Sequence, residues 1–391
     1  MPPELHAVLG ASSAKRWLNC PPSARLEEKL KGIFGDGRSP YAEEGTKAHA
    51  LAELKLYHEL GRVNDFNFTA QRKQMGELPA DMERATDEYV DIVLSKYYAA
   101  RQACGDAGIY IEQRLSFSRW VPHGFGTGDC VIVSDAMLEV LDYKHGAGVK
   151  VDAADNPQAR LYGLGALDLF GKLYDFTEVR NTIVQPRVRE DPVTEETLSR
   201  ADLLAWGEGI KETAHDAWLG KGEYKPGEWC RFCAAKAICA ARAAESMTLF
   251  THGFQAPGVI ADEDIPGILK VADTAEAWIK DIRAYARRQA LKGQRWDGFK
   301  LVRGRKGNRT WKDEEQVQEQ LTRAGYGAEQ YMSHKLKGPA EIQELLGKPA
   351  FDALVKQYVT QSEGALNLVP DTAKGAEVSS ADADFSDLEE A

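Results

Sequence analysis

The stretch Gly126–Tyr162, GTGDCVIVSDAMLEVLDYKHGAGVKVDAADNPQARLY, constrains the fold of this chain more than any other. Two apolar runs, Cys130–Val133 and Leu138–Leu141, flank the short link Ser134–Met137, the pattern of a β-hairpin. With Asp135 and Ala136 as the loop, paired residue numbers sum to 271 and Asp129 lies opposite Asp142. Directly opposed residues of an antiparallel pair have Cβ atoms about 5 Å apart. Two carboxylates that close repel unless a cation lies between them. Lys144, two residues beyond Asp142, points to the same face. Two Asp and a Lys at one strand end are the parts of a Mg²⁺ site that activates water. Taken alone, the same D-x-K is also what two edge-strand charges and a surface lysine look like.

The surrounding pattern is that of an α/β (α+β) chain. Ser12 or Ser13 caps a short helix through Ala14–Leu18, stopped at Cys20-Pro21. Gly32–Pro40 reads as a polar loop. A helix from about Ala42 to Leu60 carries His49 and, four residues on, Glu53. Pro79–Gly105 is a second long helix. Ile109–Phe117 alternates as a strand, with Glu112 on a face that depends on its pairing. Asn156-Pro157 opens a helix through Phe170, on which Gln158 and Tyr162 share a face. Thr177–Pro186 is a strand and Thr194–Leu219 a helix. Strand, strand, strand, helix, strand predicts a mixed central sheet flanked by helices.

The six cysteines fit ligands or free thiols better than disulfides, because no secretory signal pattern is apparent. No apolar run approaches the roughly 20 residues of a membrane span. The expectation is therefore a cytoplasmic protein without a membrane partner. Cys230, Cys233 and Cys239 form C-x₂-C-x₅-C, the spacing of a metal site lacking its fourth ligand, for which Cys20, Cys104 and Cys130 are candidates. Four thiolates suit zinc or a four-iron (4Fe–4S) cluster equally.

The formal net charge of −11 argues superficially against nucleic acid, but its placement matters more. From Ala365 onward there are seven acids and one base, a net of −6 in a tail expected to be disordered. Between Arg283 and Lys312 there are eleven bases and one acid, a net of +10. That segment reads as the end of a long helix, Asp262–Lys292. A hairpin of Phe299–Arg303 and Arg309–Lys312 about Lys306-Gly307-Asn308 follows. Helices at Glu314–Arg323, Pro339–Leu346 and Ala350–Val359 come next. Arg295, Lys300, Arg303, Arg305, Lys306 and Arg309, interleaved with Trp296, Phe299 and Trp311, are candidates to hold DNA phosphates and stack on bases.

Several elements then coincide in chain order. They are Gly45-Thr46 with His49, Gly128-Asp129, Asp142-Tyr143-Lys144, Gln158 with Tyr162, and Cys20 far upstream of Cys230, Cys233 and Cys239. In this order they resemble the RecB-type branch of the PD-(D/E)XK nuclease superfamily. The sub-group resembled carries an iron–sulfur staple and includes CRISPR-associated adaptation nucleases and compact phage-encoded exonucleases. The likeness covers about Ser12 to Cys239. It implies a PD-(D/E)XK core over residues 1–250 and assigns no role after about Pro257, where the residues themselves read as a helix-and-hairpin region over 258–364 and the tail 365–391. It implies that His49, Asp129, Asp142 and the Tyr143 carbonyl hold Mg²⁺ or Mn²⁺. Lys144 would orient or deprotonate the attacking water, and Gln158 and Tyr162 would position the DNA strand. It makes Cys20 the fourth ligand of a 4Fe–4S cluster, with zinc as the alternative. The D-x-K acid is Asp142 where Glu is commoner, which shortens the reach by one methylene. The implied activity is a metal-dependent deoxyribonuclease, most concretely an exonuclease of phage-type recombination or end processing. The competing reading is an inactive DNA-binding scaffold on the same fold. Partners implied are DNA, a single-strand annealing or single-strand binding protein, and further copies of the chain.

Overall fold

A computed structural model describes residues 7–34, 40–135, 137–248, 265–304, 307–333, 335–361 and 366–370. The chain forms two compact units, Met1–Val271 and Ala272–Ala391. The first contains α1 (Ala14–Asn19), α2 (Ser23–Phe34), α3 (Pro40–Glu59), α4 (Asp65–Gln74), α5 (Ala80–Cys104), β1 (Gly108–Ser116), β2 (Phe125–Val133), β3 (Met137–Tyr143), α6 (Pro157–Phe170), β4 (Glu178–Val184), β5 (Val193–Ser199), α7 (Arg200–Leu219) and α8 (Ala240–Met247). Next comes α9 (Ile265–Leu291), within which the boundary falls. No helix among the described residues is long and apolar enough to cross a membrane.

The strands form one mixed sheet in the order β1-β2-β3-β4-β5. Only β3 and β4 run parallel, joined by the α6 crossover that parallel neighbours require. The β2–β3 hairpin takes the register expected from its loop, with Cys130 opposite Leu141 and Val133 opposite Leu138. Helices cover both faces. Val131, Val133, Leu138 and Val140 pack with Leu161, Leu164 and Leu203 of α6 and α7. Cys130, Ile132, Leu141 and Tyr143 pack with Leu51, Leu56, Tyr89 and Val93 of α3 and α5. Truncating one such buried aromatic or aliphatic side chain to Ala typically costs about 2–5 kcal/mol.

One irregularity organises the sheet end. Ile109 and Ile111 belong to the α3/α5 core, whereas Leu115 and Phe117, at the same alternation, belong to the α6/α7 core. The strand changes face at Glu112, whose φ is +49°. A left-handed non-glycine residue in a strand costs about 1–3 kcal/mol. The β1–β2 ladder runs through Ile111↔Cys130 and Gln113↔Gly128, leaving Glu112 and Asp129 opposed between them. Asp129 therefore stands where the sheet rolls from one face to the other.

Helix α3 is fixed to α5 by Lys55. Its buried ammonium donates to Thr86 Oγ1 (2.9 Å), Asp87 Oδ1 (2.6 Å) and the Glu83 carbonyl (3.0 Å). These bonds satisfy a charge that would otherwise be costly to bury.

Several expectations change. Residues 194–199, read as the start of a helix, are strand β5, which pairs with β4 from Glu178↔Ser199 to Val184↔Val193. The β-branched Val193, Thr194 and Thr197 favour the pleat. Ser199 then caps α7 by accepting from Asp202 N–H at 3.0 Å. Helices α2 and α4 occupy segments not assigned to helices from the sequence, and α2 runs into the expected Gly32–Pro40 loop.

The second unit continues with β6 (Phe299–Arg303), β7 (Arg309–Trp311), α10 (Glu314–Arg323), α11 (Ala328–Tyr331), β8 (Met332–Ser333), β9 (Lys335–Leu336), α12 (Pro339–Leu346), α13 (Lys348–Leu354), β10 (Val359–Gln361) and β11 (Leu366–Pro370). The expected β6–β7 hairpin does not form. β6 pairs with β11 and β7 with β10. Leu366–Pro370, assigned to the disordered tail, is thus a strand. Its acid-free run LNLVP is hidden when composition is averaged over an acidic tail. The rest of the tail, 371–391, lies outside the described residues. Val317, Leu321, Tyr331, Ile342, Phe351 and Val355 form this unit's core.

Candidate active site

The hairpin delivers its acidic pair to the sheet end where the roll occurs. Asp129 Oδ2 accepts from Tyr143 N–H at 2.7 Å, so the β2 carboxylate is tied to the β3 backbone. Asp142 is buried, with 5% exposure. Lys144 Nζ is 2.7 Å from Asp142 Oδ2 and donates to Gln158 Oε1 at 3.0 Å. Gln158 Nε2 donates in turn to Asp142 Oδ1 at 3.0 Å. Asp142, Lys144 and Gln158 thus close a triangle. Gln158 reaches it because Asn156 caps α6, its Oδ1 accepting from Gln158 N–H and Ala159 N–H, with Pro157 as the first helical residue.

On the other side, α3 presents His49, whose Nδ1 is 3.2 Å from Asp129 Oδ1. Donor atoms of His49, Glu112 and Asp129 lie within 4.8 Å of one another. That trio, with Glu53, Tyr89 and Tyr143, lines a small pocket. The sequence does not decide the face of Glu112, which depends on the β1–β2 pairing, and the structure adds a left-handed φ there. The structure brings His49, Glu112 and Asp129 into one cluster of metal-ligand spacing and puts Asp142 beside it, on Lys144.

The electrostatics fit a cation. Burial, followed by repulsion from Asp129, raises the Asp142 pKa against the opposing pull of Lys144. Burial alone would lower the His49 pKa, but Asp129 and then Asp142 carry it above its usual value. Among the described residues, the buried Asp142 Oδ2 accepts no hydrogen bond despite its ion pair with Lys144. One imidazole nitrogen and three carboxylates suit Mg²⁺ or, with the nitrogen, Mn²⁺ better.

A second network, unexpected from sequence, braces Tyr143. Its ring packs edge-on to His49 and against Tyr89, with centroids 5.3 and 4.8 Å apart. Tyr143 Oη is 2.8 Å from His145 Nδ1. Arg187 Nη1 donates to Glu44 Oε1 at 2.7 Å and lies 2.9 Å from His145 Nε2. His145 Nε2 also lies 3.1 Å from Glu44 Oε1, so the imidazole, the carboxylate and the guanidinium meet at one point. Burial first, then Arg187, lower the His145 pKa against the pull of Glu44. Arg187 Nη2 also pairs with Asp81 at 2.9 Å. No local motif announces these contacts, because His145 and Arg187 come from different loops.

Tyr162 is mostly buried in the α6/α7 core, against Gly126, where a Cβ would come within 2.7 Å of its ring.

The four cysteines Cys20, Cys230, Cys233 and Cys239 line one pocket with Tyr224 and Trp229. Cys104 donates to the Ala100 carbonyl and Cys130 lies in the α3/α5 core; neither lines that pocket. Burial raises the Cys230 thiol pKa and pushes that of Cys233 up to about 12. Four sulfurs about 2.3 Å from a single zinc would stand roughly 3.8 Å apart. Among the described residues no three cysteine sulfurs lie within 4.8 Å of one another. Glu27 links the two cysteine segments, pairing with Arg16 and accepting from Ala234 N–H at 2.6 Å.

In the second unit Arg295 and Arg303 are exposed and Lys300 is half-buried. Arg309 donates to Gln343 Oε1 at 2.6 Å, and its guanidinium lies 5.4 Å over Phe351. Arg305 and Lys306 lie outside the described residues. Trp311 donates to the Lys337 carbonyl and packs on Phe351. Trp296 donates to the Ala286 carbonyl, so of the three aromatics Phe299, 49% exposed, is the most open.

The chain belongs to the family described as protein of unknown function (DUF2800), whose profile matches residues 6–376. Among solved structures it is similar to that of SSO0001, at 15% identity over 59% of this chain and 85% of that one, with a TM-score of 0.32. It is also similar to a protein from Eubacterium rectale provisionally named an exonuclease, at 12% identity over 66% and 92%, with a TM-score of 0.34. At these scores neither likeness bears on the chemistry of the site.

Proposed function

We propose that this chain is a metal-dependent deoxyribonuclease with a RecB-type PD-(D/E)XK site, acting as an exonuclease in phage-type DNA recombination or end processing in the cytoplasm. The observation that carries this reading is the closed triangle of Asp142, Lys144 and Gln158 beside Asp129 and His49. Phosphodiester hydrolysis needs an activated water and charge compensation on the non-bridging oxygens, and a bound Mg²⁺ or Mn²⁺ would supply both. His49, Glu112 and Asp129 are the residues spaced to hold it, with Asp142 and the Tyr143 carbonyl as further oxygen ligands. Lys144 keeps a positive charge beside Asp142, in reach of an incoming phosphate. Gln158 holds the Lys144 and Asp142 heads in register, which limits their reorganisation during the reaction.

The four cysteines lining one pocket fit a thiolate-held metal group, and the resemblance favours a 4Fe–4S cluster, with zinc as the alternative. The basic segment of the second unit supports DNA as partner through phosphate contacts without sequence readout. A single-strand annealing or binding protein, and further copies of the chain, complete the proposed partners. The test is incubation of the purified chain with linear and covalently closed circular DNA in Mg²⁺, Mn²⁺ or EDTA. Metal-dependent degradation of the linear form only is expected. Intact linear DNA under all three conditions would reject the enzyme in favour of a DNA-binding scaffold.

A further inference from the structure

Tyr89 on α5 is 1% exposed, and among the described residues its hydroxyl has no hydrogen-bond partner. The ring is held by the α3/α5 core and by Tyr143. The same residue lines the pocket formed by His49, Glu112 and Asp129. Burying a hydroxyl without a partner costs about 1–3 kcal/mol. Phenylalanine would keep the ring packing without that cost, so packing does not account for the oxygen.

The cation chemistry of the pocket does. His49, Glu112 and Asp129 offer three donor atoms, and Mg²⁺-like ions are six-coordinate and retain several waters. A coordinated water has its lone pair engaged by the ion and must donate its hydrogens to the wall. A neutral phenol is a suitable acceptor. Burial and then the nearby Cys130, Asp129, Asp142 and Glu112 hold the Tyr89 hydroxyl far above its usual pKa, so it stays neutral among these acids.

We propose that Tyr89 is a positioning residue of the cation site, its Oη hydrogen-bonding the hydration shell of a divalent ion held by His49, Glu112 and Asp129. This rests on the metal-centre reading above. The test uses the full chain without DNA. Mn²⁺ is titrated into wild type, Tyr89→Phe and His49→Ala, with free Mn²⁺ read by electron paramagnetic resonance and bound Mn²⁺ by water-proton relaxation. Melting is recorded in EDTA. Loss of an outer-sphere partner should weaken Mn²⁺ binding about tenfold or more. The relaxation enhancement of the bound ion should also change. Tyr89→Phe in EDTA should melt no lower than wild type, because only an unsatisfied oxygen has been removed. Unchanged affinity and relaxation in Tyr89→Phe, with wild type binding and His49→Ala not binding, would overturn the Tyr89 assignment alone. A Tyr89→Phe chain that melts lower in EDTA, or does not fold, would make the hydroxyl structural and overturn it as well. Absence of Mn²⁺ binding in wild type would remove the metal centre itself, and the Tyr89 role with it.

Discussion

At the residue scale the site divides into a cluster spaced for a metal ion and a charge relay. Lys144 is paired with Asp142 and Gln158 rather than with the His49, Glu112 and Asp129 cluster, so Lys144→Ala should leave Mn²⁺ binding intact. Its loss should lower single-turnover cleavage by about 10²–10³-fold, the usual effect of deleting one electrostatic stabiliser. Glu112→Gln should do the reverse, raising the Mn²⁺ concentration needed for half-maximal rate while saturating metal restores much of the turnover. A metal-activation curve for each variant separates the two. The opposed Asp129 and Asp142 were legible from counting residues across a hairpin. Glu112 was not, because its place depends on a left-handed φ and on a strand pairing across the loop from Phe117 to Gly124. Arg187 and His145 were illegible because two loops must be folded before they meet.

At the element scale, α1 and the cysteine segment are held together at one pocket. If Cys20, Cys230, Cys233 and Cys239 share a cluster, Cys20→Ser should abolish the brown colour of protein purified without oxygen and lower its melting temperature. Cys104→Ser, whose thiol lies outside the pocket, should do neither. Visible absorption and a melting curve on both variants decide this. Helix α3 depends on Lys55, so Lys55→Ala should destabilise the chain by about 1–3 kcal/mol, the usual cost of losing charge-assisted hydrogen bonds from a buried donor. Denaturant unfolding measures it. Elements with strong caps and apolar periodicity, such as α6, were readable. β5 was not, because its adjacent Glu195 and Glu196 interrupt the apolar alternation of a strand until β4 supplies a partner.

At the scale of the whole molecule, the two units differ in how far sequence reveals them. The five-stranded sheet follows from local hairpin and crossover signals. The second unit does not, since β6 and β7 each pair with strands much later in the chain, and local turn chemistry cannot foresee that. Its net +10 segment is nonetheless read directly from the sequence. Arg295 and Lys300, free of the core contacts that hold Arg309, are the residues to change. Their double replacement by Ala should reduce the salt slope of DNA binding by about two units, one per phosphate contact. An unchanged slope in fluorescence anisotropy would assign the segment to another use. The most direct measurement is single-turnover cleavage of end-labelled linear DNA by wild type and Asp142→Asn in Mn²⁺, with DNA affinity measured in parallel. Asp142→Asn should bind DNA as wild type does, in the same fold, and release no labelled product. Cleavage by Asp142→Asn at the wild-type rate would contradict the hydrolytic site formed by Asp129, Asp142 and Lys144.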